Sequence, residues 1–176
     1  MDFDFFKNLS SEKAKKFFDN FLVEAEKGFL KIKPEIEATG IIVNYTTDSL
    51  LPVFKWIVSR LKTLPEKEDE SLPIWIKETE TYKKGLYSFD EVSRILILRF
   101  AFYMGECFIK SYKGLKWSIG TAKTMQQNMP VISGFKNKIE LAIMVVCKNM
   151  FSKAIEDNDI ENAETAIRTW SLFTRG

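Results

Sequence analysis

The sequence predicts an α+β domain dominated by helices: about five helices around a central buried helix over 88–111, with a small antiparallel sheet. Three observations predict it. From Ile95 to Met104 only Arg99 is charged, so the stretch Ser88–Ser111 is apolar around nearly its whole circumference. A helix of that kind must be surrounded. Apolar residues recur at three- and four-residue steps in segments before and after it. Finally, Leu115–Ile119 alternates apolar with polar residues and ends at Gly120, and Pro130–Ser133 is a second short segment able to pair with it. Arg99 interrupts the roughly 20 apolar residues that a membrane span needs, so protein rather than lipid is expected around the helix.

The elements follow in order. Asn8–Ser11 offer cap residues, and Ala14, Phe17, Phe18, Phe21, Leu22, Ala25 and Phe29 share one face behind them. This predicts an amphipathic helix ending before Pro34. Gly40–Tyr45 is short and β-branched and reads as a strand or an extended connector. Thr46–Ser49 supply caps, Pro52 suits a first turn, and Leu50, Phe54, Ile57, Val58 and Leu61 form the stripe of a helix ending near Leu64–Pro65. Pro65–Pro73, with Glu66, Glu68, Asp69 and Glu70 against Lys67, reads as a solvated loop. Ile74–Ile76 then forms an apolar anchor, and Glu78–Lys84 a helical turn or two.

Ser88 with Glu91 reads as the capping box of the central helix. An alternative breaks that helix at Gly105 and makes Cys107–Tyr112 a strand, but the length of the apolar run favours one helix. Thr121–Met129 is a polar loop. Lys138–Glu156 is long and apolar enough for a largely buried helix. Asp157–Asp159 is a turn and cap, and Ile160, Ala163, Ile167, Trp170 and Phe173 mark a last helix. No linker divides the 176 residues, so a single domain over 1–176 is expected.

Composition narrows the function. The chain has no histidine, which removes the usual general base near neutral pH and the commonest nitrogen ligand for zinc. Ser–His, Cys–His and zinc-hydrolase chemistries are thereby excluded. The two cysteines, Cys107 and Cys147, lie in apolar runs and read as buried reduced thiols. A net charge of +2 gives no nucleic-acid or membrane signal. Gly114, Gly120 and Gly134 are too dispersed for a phosphate loop, and Asp157, Asp159 and Glu161 lack the calcium-loop spacing. No cofactor and no metal are expected. The acidic start, Met1–Asp4, has no apolar signal core, which makes the cytoplasm the expected location.

Two constellations stand out. Arg99, Tyr103 and Glu106 share one side of the central helix, with Gly105 beside Glu106 admitting a second backbone. They read as an internal network against the loop bearing Trp117, or as the polar floor of a pocket. Their buried charges need partners in either case. The second is the basic middle: Lys110, Lys113, Lys116, Lys123, Lys136, Lys138 and Lys148 against Glu140, with Trp117 and Phe135 interleaved. Without arginine this is a weak base-reading surface, and it reads as a solvated face or a charged protein-docking face. Phe3, Phe5 and Phe6 are candidates for a self-interface.

The order of features carries a resemblance. Asn44–Leu50 leads into a helix with Trp56. Ser88-Phe89-Asp90-Glu91 starts a second helix that runs into Tyr103-Met104-Gly105-Glu106. Leu115-Lys116-Trp117 and Pro130-Val131-Ile132 follow. This resembles a loose group of small bacterial cytoplasmic proteins that share a Tyr-x-Gly-Glu helix end, a tryptophan strand and a Pro-Val segment, some of them immunity-protein-like. The resemblance covers roughly Ile41–Ile132 and implies a bacterial origin and a binding role, with no catalytic residue.

The expected function is therefore a non-enzymatic cytoplasmic protein-binding module, an immunity or antitoxin protein neutralising a toxin being one form. Its expected surface is Trp117–Phe135 joined by the Tyr103–Glu106 helix end, so the candidate binding residues are Arg99, Tyr103, Glu106, Trp117 and Phe135. The alternative is a small-molecule-binding protein or enzyme with a pocket around Arg99, Tyr103, Glu106 and Trp117.

Overall fold

The computed structural model describes residues 3–65, 87–121 and 126–174. Six α-helices occur among the described residues: α1 Phe3–Lys7, α2 Ser11–Glu37, α3 Leu50–Val58, α4 Glu91–Ser111, α5 Ile143–Glu156 and α6 Glu161–Leu172. The strands are β1 Thr63–Pro65, β2 Tyr87–Phe89, β3 Lys116–Ile119 and β4 Pro130–Ser133, paired antiparallel as β1–β2 and β3–β4. This is the helix-dominated α+β architecture that the apolar periodicity implies. The expected readings of 66–86 and of Lys123 lie outside the described residues.

α4 is the central element. It packs against α5 and α2, and also against α3. The helix is continuous through Gly105, so the strand alternative for Cys107–Tyr112 is set aside. Its start differs from the expected box. Asp90 is the N-cap and accepts from Ser93 N–H at 2.7 Å, while Ser88 is paired in β2. Ser93 in turn accepts from the Lys62 N–H at 2.7 Å, tying the end of α3's connection to the start of α4. Pairing of Ser88 with Leu64 takes its backbone into a ladder, and the cap role moves to the next free acceptor.

α2 also departs from expectation, because it runs through Pro34 to Glu37. The proline removes an N–H that would have met the Leu30 carbonyl. Leu30 is exposed, so water can take that carbonyl, while Ile32 and Ile36 on the opposite face are buried and hold the last turns to the core. Gly40–Tyr45 is a connector, not a strand. The helix expected from Lys138 begins at Ile143. Leu141 is instead bridged to Ile132, each N–H donating to the other's carbonyl at 3.0 and 2.9 Å, which keeps the chain extended.

The buried residues form one contiguous core from Phe6 to Ile167. At its centre Phe54 of α3 stacks on Phe151 of α5 at 4.5 Å, and Phe100 of α4 meets both edge-on. Both cysteines are free and fully buried. Burial pushes the Cys107 thiol up to about 12 and raises that of Cys147 as well. α1 is held by Asn128, whose amide donates to the Phe6 and Leu9 carbonyls, both at 3.0 Å. Phe6 is consequently buried against Phe17, and Phe5 stays half-exposed.

Candidate functional site

Glu106 and Trp117 are the pair of expected site residues that the structure brings into direct contact. The Trp117 indole N–H donates to the Glu106 carboxylate at 2.9 Å. The ring stacks parallel to Phe102 at 6.1 Å and takes Phe21 of α2 on its edge at 5.7 Å. Gly105 makes this possible: a Cβ there would stand 2.2 Å from the indole. Glu106 also faces Lys110 at 3.7 Å, and the same ammonium lies 3.7 Å from the Tyr45 ring centre. Burial raises the Tyr45 phenol pKa, and the Glu106 charge adds to that.

Tyr103 is fully buried. It stacks on Phe29 at 4.4 Å, and its hydroxyl bonds Ser49. The Ser49 hydroxyl donates to the Thr46 carbonyl at 2.6 Å, so its one proton is committed and Tyr103 must be the donor in their bond. The chain of donors locks the turn before α3 onto α4. Burial and the nearby Cys107 push the Tyr103 phenol above its usual range. Phe135 is also in the core, between Phe108 and Trp170. Neither ring is presented to solvent in this conformation.

Arg99 lies elsewhere. Its side chain runs across Gly28 of α2, where a Cβ would stand 2.8 Å from Nε. The side chain is half-buried and, among the described residues, makes no hydrogen bond and no ion pair. The internal Arg99–Glu106 network open to the sequence is therefore not formed. Arg99 instead forms part of a groove of about 520 Å³ between α2 and α4, walled by Phe17, Phe21, Ile95 and Leu98. Phe21 joins the two regions, because it lines the groove and also touches Trp117.

The groove continues into an apolar strip on α4. Val92 is 65% exposed, Ile95 40% and Leu98 36%, although the rest of this helix is the most buried in the chain. Sequence reasoning missed this strip, because a run apolar all round reads as buried all round. The available signal was the three-residue step Val92–Ile95–Leu98, with Glu91, Arg94 and Arg99 among and beside it. That is a half-polar start to an otherwise apolar helix. Gly28 of α2 is the floor on which Arg99 lies.

Among the described residues no helix is long and apolar enough to cross a membrane. A scan of protein-family models matches nothing, and no curated protein or solved structure is similar to the chain.

Proposed function

We propose that this chain is a non-enzymatic protein-binding module of a bacterial cytoplasm, and that its action is to occupy and neutralise a partner, as an immunity or antitoxin protein does. The observation that carries the reading is the exposed strip Val92–Ile95–Leu98 beside Arg99, which has no hydrogen-bond or ion-pair partner among the described residues. Arginine is enriched among binding hot spots, and a contiguous exposed aliphatic strip beside it offers apolar area that a partner can bury. We centre the contact surface on this groove, which Trp117 adjoins through Phe21, because Tyr103 and Phe135 are enclosed. A small ligand gripped jointly by Arg99, Tyr103, Glu106 and Trp117 would first have to draw Tyr103 out of its packing with Phe29 and Ser49.

The test is a tagged pull-down from the native host at moderate salt, with mass spectrometry of what co-elutes. A stoichiometric protein that is toxic when expressed alone and harmless when co-expressed is the expected result. Its recovery should be lost with Ile95→Glu or Leu98→Glu in a chain that keeps its helical circular dichroism. Recovery of the chain alone would overturn the reading.

A further inference from the structure

We propose that the α2–α4 groove takes an acidic segment of a partner protein, with apolar side chains on Ile95 and Leu98 and a carboxylate on Arg99. This rests on the protein-binding reading and adds the chemistry of what is bound.

The argument begins with the guanidinium. Arg99 has five N–H donors in a planar fork, and it is half-buried without an acceptor among the described residues. Gly28 lets its stem lie flat on α2, which leaves the fork at the groove instead of free in solvent. A planar fork is matched by an acceptor with two parallel oxygens, and a carboxylate is the protein group of that shape. The surrounding charges point the same way. Lys27 and Lys31 also line the groove. Glu24 is the lone carboxylate among its described lining residues, and Lys27 already holds it at 3.2 Å. The groove is therefore electropositive and would steer an acidic segment inward.

Other occupants fit less well. A symmetric contact with a second copy would set Arg99 and Lys31 of one chain near the same cations of the other, and like charges resist that pairing. A fatty acid could satisfy the arginine and the walls, but it would leave Val92 exposed beyond the groove.

The experiment uses the full chain, immobilised, against a display library of short random peptides. The expected result is enrichment of peptides that combine Asp or Glu with large apolar residues. The best peptide should bind about tenfold or more weakly when its acidic residue becomes the amide, a change made entirely outside the folded chain. Arg99→Gln should cause a similar loss, and Arg99→Lys should recover only part of it. Enrichment of neutral or basic peptides, or affinity unchanged by Arg99→Gln and by Ile95→Glu, would overturn this proposal and leave the protein-binding reading standing. A thermal shift with laurate and no selected peptide would overturn it in favour of a small amphiphile. Self-association in sedimentation that Arg99→Gln abolishes would overturn it in favour of a second copy. No peptide together with no native partner would overturn both proposals.

Discussion

The Trp117 indole lies directly on the backbone of Gly105, in the space that any side chain at position 105 would fill. This contact fixes strand β3 to the central helix. The indole is confined on both sides, stacked on Phe102 and met edge-on by Phe21, and its N–H is held by Glu106. A glycine inside a helix costs about 1 kcal/mol relative to alanine, so its presence here needs a compensating contact. The ring supplies it.

Gly105→Ala should therefore be destabilising even though alanine is the better helix former. The methyl group would stand 2.2 Å from a ring that cannot swing away, and overpacking of this kind costs about 1–3 kcal/mol. The expected net effect is a lower midpoint in urea. Combining it with Trp117→Leu should recover part of the loss, because the smaller side chain yields. A raised midpoint for Gly105→Ala alone would show that the indole is not confined.

Gly28→Ala should behave in the opposite way. This glycine is also inside a helix, but what its new methyl would meet is the half-exposed Arg99 side chain, which has no hydrogen-bond or ion-pair partner among the described residues. The arginine can move, so the helix-propensity gain of up to about 1 kcal/mol should survive. Thermal melts of the two variants, measured side by side, should shift in opposite directions. Because the displaced arginine no longer lies across α2, Gly28→Ala should also weaken binding in the groove while the protein becomes more stable. A drop in stability would sink this account.

Ser49 and Tyr103 should couple strongly. Ser49→Ala leaves the fully buried Tyr103 hydroxyl without an acceptor, which costs about 1–3 kcal/mol. Tyr103→Phe removes the donor and leaves Ser49 its bond to Thr46, for a smaller loss of about 0.5–1.5 kcal/mol. The double variant should lose less than the sum, since the phenylalanine ring no longer carries an orphaned hydroxyl. Urea titrations of the four proteins give the cycle, and strict additivity would mean that the two hydroxyls do not depend on each other.

The general architecture was legible because the apolar stripes of α2 and α6 and the all-round apolar run of α4 are set by burial, and burial follows local sequence. What was not legible depends on partners distant along the chain. Ser88 looks like a cap until Leu64, from a different segment, takes its backbone into a ladder, and the cap role passes to Asp90. Lys138–Glu156 looks helical throughout until the bridge of Leu141 to Ile132 delays its start. The candidate site divided on the same ground. Glu106 and Trp117 meet as a Tyr-x-Gly-Glu turn facing a tryptophan suggests, since the glycine's vacancy is a local fact. Arg99 reads from the sequence as part of a network with Glu106 against the Trp117 loop, or as the floor of a pocket. It crosses to α2 because Gly28 leaves room there, and no pattern within α4 encodes that.

The buried thiols give a pH prediction with a definite sign. Cys107 and Cys147 are both fully buried, and burial disfavours the thiolate, lifting Cys107 to about 12 and raising Cys147 too. In the unfolded chain a thiol titrates near 8.5. The folded state thus binds the proton more tightly than the unfolded state does, so the protonated thiols' contribution to stability is complete below about pH 8.5. It is then lost as pH rises through the interval from there toward 12. The Tyr103 phenol, raised by its own burial, adds loss in the same direction from about pH 10 upward. Urea midpoints should accordingly be level near neutrality and fall between about pH 9 and 11. Cys107→Ser/Cys147→Ala should flatten part of that fall, whatever it does to the neutral value. The same burial predicts that iodoacetamide at pH 8 modifies neither thiol until the chain unfolds, so its rate should rise with added urea in step with the unfolded fraction. Rapid labelling of the native protein, or stability that climbs with pH above 9, would show that these thiols are not enclosed as the packing around Met104 and Ser49 requires.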